Sequence, residues 1–343
     1  MGQHMLMESE GGAALVATAG ERPPRVIIRS LTDPLFSSAA LSGPLTDQCR
    51  NASCIVLSQG RVLETALAAR PLMIVAARGG RDVFTVGRRR MAVGDDTFLI
   101  VNEGRAHSSA IRSEVDVESF RILFRTGLVE EVLGALVMPT DRLLERDPEH
   151  RGFPFEFTEG LQPHDRLVSP VLRYIRQHAL GGSDDDIWFE EQIGYLLERM
   201  LLSHRAIVRR VQALPCARIE TRRELYRRVT LAVDYIETCF DQATSLDVLA
   251  KVACLSKFHF QRAFCALLGL TPRDYLQRKR AFVARRLLAS TSLSASEIAL
   301  RVGYASRTSL TKQVRRWTGS APGQLRQRMS AGTEVMEDVL VAS

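Results

Sequence analysis

Short apolar runs separated by turn residues dominate the chain between residues 25 and 126. The runs at 72–77 and 97–101 are rich in β-forming residues, and turns containing glycine or acidic residues interrupt the pattern. Many short strands at close spacing are typical of an antiparallel barrel or sandwich. Further strands are predicted at 26–28, 54–57, 83–86, 91–93, 110–111 and 117–124.

The apolar residues take up helical spacing after residue 127. Helices are predicted at 128–137, 165–180 and 186–211, and a loop rich in charge, proline and glycine separates the first two. Pro170 can delay the start of the second helix, since proline is tolerated only in the first turn. The third helix carries an apolar stripe made of Ile193, Leu196, Leu197, Met200 and Leu201. Packing against the chain's own barrel and a dimer interface explain this stripe equally well.

An internal repeat occupies the last third of the chain, which is predicted to be almost entirely helical from Thr221 onward. One set of residues recurs 50 positions later, with Ser256, Gly269, Pro272, Gln277 and Arg278 matching Ser306, Gly319, Pro322, Gln327 and Arg328. Upstream of the two serines the register slips by one residue, because Leu249–Ala250 matches Ile298–Ala299. Each copy has the plan of a helix, a tight turn and a second helix, at about 246–268 and about 295–318.

Capping residues mark both copies of the repeat. The first helix of each copy is predicted to begin at a capping pair, which is Thr244 with Asp247 and then Ser294 with Glu297. The second helix of each copy has a serine cap and a terminal glycine, namely Ser256 with Gly269 and Ser306 with Gly319.

The second helix of each copy has a polar face beside its apolar stripe. The apolar stripes consist of Phe260, Ala263, Phe264 and Leu267 in the first copy, and of Leu310, Val314 and Trp317 in the second. The polar faces carry the predicted DNA-reading residues, Lys257, Phe258, Gln261 and Arg262 in the first copy, and Arg307, Thr308, Thr311 and Lys312 in the second. Arginine and lysine can bond guanine, glutamine can bond adenine, and threonine or phenylalanine can touch a thymine methyl group. The alternative for Phe258 is that its ring covers a neighbouring helix.

A further helix, predicted from Pro272 to Ser290, joins the two copies. About 18 helical residues span roughly 27 Å, close to the roughly 34 Å of one DNA turn. The two second helices could therefore enter successive major-groove segments on one face of a duplex. Residues predicted to face inward are Tyr275, Leu276, Phe282, Val283 and Leu287, while Arg278, Lys279, Arg285 and Arg286 are placed on other faces.

The charge distribution agrees with a polyanionic partner for the last third. Residues 221–330 hold 20 Lys and Arg against 7 Asp and Glu, a net charge of +13, whereas the whole chain has +7. The rest of the chain is therefore acidic, with a net charge of −6. A strongly basic segment on an acidic body indicates nucleic-acid binding, and a solvated basic surface is the alternative.

Residues 228–328 closely resemble the DNA-binding domain of the AraC/XylS family of bacterial transcription regulators. The first signature reads LSKFHFQRAF at 255–264 and GLTP at 269–272, and the second reads GYAS at 303–306 and GSAP at 319–322. The resemblance implies seven helices, two of them recognition helices, and double-stranded DNA as a partner. It also implies RNA polymerase as a partner if the protein is an activator.

The chain departs from the family pattern at several core positions. The family usually has phenylalanine where Val314 stands and often at Leu310, and many members have a small residue near Cys254. Smaller core residues predict a less rigid second unit. In family terms Arg280 is a structural ion-pair or hydrogen-bond partner.

The N-terminal part resembles, more weakly, the cupin-like sensor domain of such regulators. The matching residues are Gly94–Asp96 before the strand Phe98–Val101, followed by Glu103–His107. The resemblance implies that this domain binds a small-molecule effector or forms a homodimer.

Together these patterns predict an α+β protein, with a cupin-like antiparallel β-barrel and flanking helices followed by an all-α domain with two helix-turn-helix units. The predicted divisions are a mobile N-terminus at 1–24, a sensor barrel at 25–126, a helical region for dimerisation or packing at 127–212, a linker at 213–220, a DNA-binding domain at 221–330 and a tail at 331–343. The longest apolar runs are too short to cross a bilayer, and the N-terminus lacks a secretory pattern. A cytoplasmic location without membrane contact is expected.

Three other functions compete with this interpretation. A cupin-type metal enzyme would need a histidine pair, but His107 stands alone among seven dispersed histidines, so neither a metal nor a catalytic residue nor a cofactor is predicted. A DNA-alkylation-damage response protein would need an activated thiolate. Cys49 and Cys54 form only a Cys-x4-Cys pair, and Pro215–Arg218 matches a bare PCxR pattern inside the predicted linker. A structural DNA-bending protein would leave the sensor-like region unexplained.

Overall fold

The computed structural model describes residues 25–30, 52–67, 71–137, 155–182, 185–214 and 218–330. The chain divides into two compact units, with the boundary between Val208 and Arg209. The predicted mobile N-terminus and C-terminal tail lie outside the described residues, as do Cys49 and Cys216.

The first unit contains eight described strands in one antiparallel sheet that curls into a nearly closed barrel. They are β1 (Arg25–Ser30), β2 (Cys54–Leu67), β3 (Met73–Arg78), β4 (Asp82–Val86), β5 (Arg89–Val93), β6 (Thr97–Val101), β7 (His107–Leu123) and β8 (Gly160–Pro163). Strand β7 pairs with β2 on one edge, and with β3 and β4 on the other. The predicted antiparallel barrel is confirmed.

Two strands differ from the sequence prediction. Strand β7 is continuous where two short strands were predicted, because its polar middle keeps pairing with β2 through an irregularity between Gly60 and Val62. Strand β8 was predicted as loop, since its four residues, GLQP, have no alternating pattern. It forms because β6 offers it a free edge, on which Leu99 pairs with Leu161.

The unbroken apolar runs of β3 and β6 follow from burial on both faces of the sheet. Met73, Val75 and Leu99 point into the barrel, whereas Ile74 and Phe98 belong to a second cluster on the outer face. A strand covered on both sides loses the alternation of polar and apolar residues. Helices cover the outer face.

Three described helices also belong to the first unit: α1 (Leu128–Val137), α2 (Val168–Leu180) and α3 (Asp186–Gln212), whose last four residues lie beyond the boundary at Val208. Helix α2 begins three residues later than predicted, with Pro170 in its first turn. Asp165 lies two residues before the N-cap position, Leu167, and its Oδ1 atom accepts hydrogen bonds from the amides of Leu167, Val168 and Ser169 at 3.0, 2.6 and 3.3 Å.

The apolar stripe of α3 is core. Ile193, Leu196, Leu197, Met200 and Leu201 are all buried, in the same cluster as the outer face of the barrel. The interpretation of this stripe as a dimer interface is therefore wrong. Leu197 is 0% exposed within a single chain, so it has no surface to offer a partner.

Seven helices form the second unit between residues 218 and 330, all of which are described, as the family resemblance implies. They are α4 (Ile219–Cys239), α5 (Leu246–Val252), α6 (Lys257–Leu268), α7 (Pro272–Ser290), α8 (Ala295–Arg301), α9 (Arg307–Thr318) and α10 (Pro322–Ser330). Among the described helices of both units, none is long and apolar enough to cross a membrane.

Of the two predicted capping pairs, one is correct and one is not. Ser294 and Glu297 form the predicted capping box at α8. At α5 the cap is Ser245, whose Oγ accepts a hydrogen bond from the Val248 amide at 3.3 Å. Thr244 donates its hydroxyl to a nearby backbone carbonyl instead, so the predicted start was one residue early.

Candidate nucleic-acid interface

The two helix-turn-helix units share one turn geometry. Cys254 and Gly303 both have a left-handed backbone, with φ of +50° and +83°. The next residue in each unit, Leu255 or Tyr304, donates its amide to the carbonyl five residues earlier, at 2.9 and 2.8 Å. The units therefore align with a shift of 49 residues up to this point.

A single additional residue explains the slip in the repeat. Ser256 follows Leu255 directly, whereas Ala305 separates Tyr304 from Ser306. Ala305 is exposed and lies before the second helix of its unit, so the longer connection leaves the helix pair intact.

Helix α6 presents most of the residues predicted for the first recognition face. Its cap is Ser256, its last turn ends at Gly269 with φ of +69°, and Phe260 and Phe264 are fully buried. Phe258, Gln261 and Arg262 are exposed on the other side. The Phe258 ring is 75% exposed, so the interpretation that it covers a neighbouring helix is wrong.

Lys257 differs from its neighbours on α6 because it is already paired. Its Nζ lies 2.6 Å from Oδ1 of Asp247 on α5, and both side chains are more than half exposed. An exposed ion pair contributes little to stability, about 0–1 kcal/mol. Lys257 can therefore exchange this carboxylate for a phosphate.

Helix α9 presents the second face. Arg307, Thr308 and Lys312 are exposed, opposite the buried Leu310 and Val314. The fourth predicted residue, Thr311, is half-buried, and its hydroxyl donates to the Arg307 carbonyl at 3.0 Å. Its methyl group and the acceptor lone pairs of its hydroxyl are left to contact a base.

Sequence reasoning missed two cations on α9. Arg315 and Arg316 are exposed, and together with the four predicted residues they line a surface depression along the helix. The sequence contains a signal for Arg315, because positions 308, 312 and 315 lie on one face of a helix. This second face therefore carries more positive charge than predicted.

Comparisons with known proteins agree with this geometry. Residues 249–328 match a family described as a helix-turn-helix domain. The bifunctional transcriptional activator/DNA repair enzyme AdaA of Bacillus subtilis is 30% identical over 99 residues, which are 29% of this chain and 47% of AdaA. The match thus spans less than half of that relative.

Two other relatives are covered over most of their length. The HTH-type transcriptional activator AarP of Providencia stuartii is 30% identical over 92 residues, which are 27% of this chain and 68% of AarP. The regulatory protein SoxS of Escherichia coli (strain K12) is 30% identical over 97 residues, which are 28% of this chain and 91% of SoxS. The chain belongs to the AraC/XylS family of DNA-binding transcription regulators.

The two helix-turn-helix units of this AraC/XylS regulator are joined through α7. Lys279 was predicted on an outer face of α7, but it is 4% exposed and its Nζ lies 2.5 Å from Oε2 of Glu237 on α4. Tyr275 donates its hydroxyl to the other oxygen of Glu237 at 2.7 Å. A buried cation needs such a partner, so Lys279 is structural and is not a DNA ligand.

Arg280 has the structural role that the AraC/XylS resemblance implies. Its Nε donates to the Phe240 carbonyl at 2.7 Å, and its Nη2 donates to the Gln242 carbonyl at 2.8 Å. Its guanidinium also lies 5.6 Å from the centre of the Tyr304 ring, and burial lowers the pKa of this arginine. Burial raises the pKa of Tyr304 to about 12. Arg280 thus binds the end of α4 to the turn of the second unit.

The candidates for other chemistry are not brought together in this regulator. His107 is buried, with Nδ1 3.2 Å from the Arg105 carbonyl and its ring beside Phe84. Within the described part of the chain, no three His, Cys, Asp or Glu residues form a group that could hold a metal. Cys54 is buried, and the PCxR pattern at 215–218 lies largely outside the described residues.

Proposed function

We propose that the protein is a sequence-specific transcription regulator whose helices α6 and α9 enter successive major-groove segments of double-stranded DNA. The observation that carries this proposal is a pair of exposed polar faces on equivalent helices, held on one scaffold helix, α7. Helix pairs in this arrangement suit the major groove, which is wide enough to admit an α-helix.

The exposed side chains divide into two roles. Arg262 and Gln261 have the donors that recognise guanine and adenine, and Phe258 offers an apolar contact for a thymine methyl group. On α9, Thr308 and Lys312 occupy the corresponding face, and Arg307 and Arg315 add phosphate contacts. Val314 fills the second core where family members usually have phenylalanine, so we expect α9 to contribute less to specificity.

Selection from a random duplex pool tests this function. The full chain should enrich one sequence motif with two half-sites about one helical turn apart. A plot of the logarithm of its association constant against the logarithm of the salt concentration should be linear. Its slope should be about −0.9 for each phosphate that the protein neutralises. A chain that enriches no motif, or binds independently of salt, would contradict the proposal.

We extend the proposal to the action of the whole protein. AarP is named a transcriptional activator, and the same action here would make RNA polymerase a partner of this chain, in the cytoplasm. Transcription from a promoter that carries the enriched motif, measured with purified polymerase, distinguishes activation from repression.

Homodimerisation is proposed through the face of α3 that turns away from the barrel. Ile187, Tyr195 and Leu202 are exposed there, at 74%, 40% and 43%. The same face has Glu191 toward one end and Arg205 toward the other. A second copy packed antiparallel would place each Glu191 near the partner copy's Arg205, so the face is complementary to itself.

Sedimentation of charge variants tests the dimer. Leu202→Lys should give a monomer whose circular dichroism stays native, because Leu202 lies outside the core. Leu197→Lys, on the opposite face, should unfold the first unit instead, because it buries an unpaired charge. A wild-type chain that sediments as a monomer would contradict this assignment.

Effector binding is proposed for a buried polar cluster inside the barrel. Arg121 Nη2 lies 2.9 Å from Asp82 Oδ2, and both side chains are at most 5% exposed. Ser119 donates to the same carboxylate oxygen at 2.7 Å, and Arg121 also donates to Ser109 at 2.8 Å. Asp82 Oδ1 accepts no hydrogen bond from the described residues. A buried carboxylate oxygen without a hydrogen-bond partner is unusual in a folded protein, so Asp82 Oδ1 offers an acceptor to the donor of a ligand.

Ligand-dependent melting tests the effector site. A ligand with hydroxyl or amine donors should raise the melting temperature of the full chain when sugars and amines are screened, because binding stabilises the folded state. Asp82→Asn should abolish that rise. Asp116→Asn is the matched control, since Asp116 is an exposed carboxylate paired with Arg61. A rise that survives Asp82→Asn would place the effector elsewhere.

A further inference from the structure

An ion pair links the corner that follows the first recognition helix to the second recognition helix. Arg316, near the end of α9, places its Nη2 3.0 Å from Oδ1 of Asp274 in the first turn of α7. Helix α7 starts directly after α6, with only three residues between them. Asp274 therefore lies just after the first helix-turn-helix unit and contacts the recognition helix of the second unit.

The carboxylate of Asp274 is held in place by its own helix. Thr271 donates its hydroxyl to Oδ2 at 2.8 Å, and the Asp274 amide donates back to the same hydroxyl at 3.1 Å. The start of a helix also favours a negative charge. Oδ1 is thus presented to Arg316 from a fixed position.

The corner itself is rigid on the side of α6. The ring of Tyr275, next to Asp274, packs edge-on against Phe264 of α6 with centroids 5.7 Å apart. The pKa of Cys265, near the end of α6, is raised mainly by burial and also by the negative charge of Asp274. The Asp274 carboxylate therefore also acts electrostatically on α6. A displacement of Arg316 relative to Asp274 is therefore a displacement of α9 relative to α6.

We propose that Asp274 and Arg316 are positioning residues that fix the separation and angle between the two recognition helices, and thereby the half-site spacing that the protein accepts. This inference rests on the proposed function. The pair is 28% and 55% exposed, and such pairs contribute little to stability. Its loss should therefore leave folding intact, while it removes the contact that holds the end of α9 to the start of α7.

Spacing variants of the enriched duplex supply the test. Wild-type full chain should bind duplexes with one base pair inserted or deleted between half-sites about tenfold more weakly than the parent, comparable to one mismatched base pair. Asp274→Asn keeps an acceptor for Thr271 but removes the charge that Arg316 binds. It should bind the parent and the spacing variants within about threefold of each other, well under the cost of one mismatch.

Two further variants separate geometry from charge. Glu220→Gln removes an exposed acidic charge from the start of α4 and should raise affinity for all duplexes equally, with the spacing penalty unchanged. Arg316→Gln breaks the pair from its other side and should relax spacing as Asp274→Asn does, even if it weakens binding to every duplex. The double variant should relax spacing no further than either single variant.

Three outcomes would overturn the inference. If Asp274→Asn keeps the wild-type penalty for altered spacing, the pair does not position the helices, although the proposed function stands. If Asp274→Asn matches Glu220→Gln on every duplex, its effect is one of charge alone. A wild-type chain that enriches no duplex at all would overturn the proposed function, and this inference with it.

Discussion

Lys279 Nζ lies 2.5 Å from Glu237 Oε2, and the two side chains are 4% and 2% exposed. Lys279 belongs to α7 and Glu237 to α4, so this ion pair joins the helix before the first helix-turn-helix unit to the helix that lies between the two units. The ammonium group also lies 5.2 Å from the centre of the Phe240 ring. One lysine in a basic stretch of sequence is thus part of the scaffold.

Removing the cation from this pair should destabilise the second unit. Lys279→Met keeps the length of the side chain but leaves the Glu237 carboxylate buried without its cation. We expect a loss of about 3–5 kcal/mol in the free energy of unfolding, measured by urea denaturation.

The double variant Glu237→Gln with Lys279→Met is the control for this loss. It removes the uncompensated charge and keeps an acceptor for the Tyr275 hydroxyl, so most of the lost stability should return. A Lys279→Met variant as stable as the wild type would show that the carboxylate is neutral or solvated, against the structure.

The two equivalent turn residues should respond in opposite ways to substitution. A Cβ atom on Gly303 would lie 2.5 Å from the Asp241 carbonyl oxygen and 2.8 Å from Arg280 Nη2. Gly303→Ala should therefore cost more than the roughly 1–2 kcal/mol of a left-handed backbone alone.

Cys254 adopts the same left-handed conformation, with φ of +50°, while exposed. Cys254→Gly should relieve its backbone strain and leave the melting temperature unchanged or higher. Thermal melts of both variants test the pair of expectations. If the two substitutions destabilised the protein equally, the backbone of Cys254 would not be strained. The two turns would then not be equivalent.

The stability of the first unit should depend on the protonation of His204. Burial lowers the pKa of His204 below its usual 6.5, and its Nδ1 accepts a hydrogen bond from the Thr158 amide at 3.3 Å. The unfolded chain therefore binds a proton at a higher pH than the folded chain does. Stability is full above pH 6.5 and falls as the pH drops through the window between the two pKa values.

His204→Gln isolates this contribution, since glutamine does not titrate but can still accept a hydrogen bond. The melting temperature of the wild type should fall more between pH 7.5 and pH 5.5 than that of the variant. Parallel falls in the two proteins would assign the pH dependence to other groups.

Local signals in the sequence were sufficient for most of the fold. The repeat, the serine caps and the terminal glycines predict α6 and α9, because each signal acts within one helical turn. What the sequence could not decide depends on contacts between distant residues. The α3 stripe fits a core or an interface until its neighbours are known, and Lys279 resembles any surface lysine until Glu237 is placed beside it.

For the predicted DNA-reading residues too, the sequence predicts which side chains are exposed but not which contacts they make. Helical periodicity alone puts Gln261 and Arg262 on an exposed face. It does not reveal that Thr311 donates its hydroxyl to the backbone or that Lys257 pairs with Asp247, since those depend on local side-chain geometry. The prediction places the DNA contacts in the first turns of each recognition helix, so it leaves out Arg315 and Arg316 in the last turn of α9.

Truncation of the α6 core should separate folding from DNA contact. Phe264 is fully buried, and its ring packs 5.4 Å from that of Phe260 and 5.7 Å from that of Tyr275. Phe264→Ala should cost roughly 3–5 kcal/mol of unfolding free energy and lose DNA binding only as a consequence. A stable Phe264→Ala variant would contradict the assignment of this stripe as core.

Binding titrations of wild type and Arg262→Ala, on the enriched duplex and on a scrambled duplex, test the central claim most directly. Arg262 is exposed beside Gln261 on α6, so its truncation should leave the thermal melt unchanged. The wild type should bind the enriched duplex at least about a thousandfold more tightly than the scrambled one. Arg262→Ala should lose about 1–3 kcal/mol on the enriched duplex and little on the scrambled one. Equal binding of both duplexes by the wild type, or equal losses on both by the variant, would contradict base reading by the exposed face of α6.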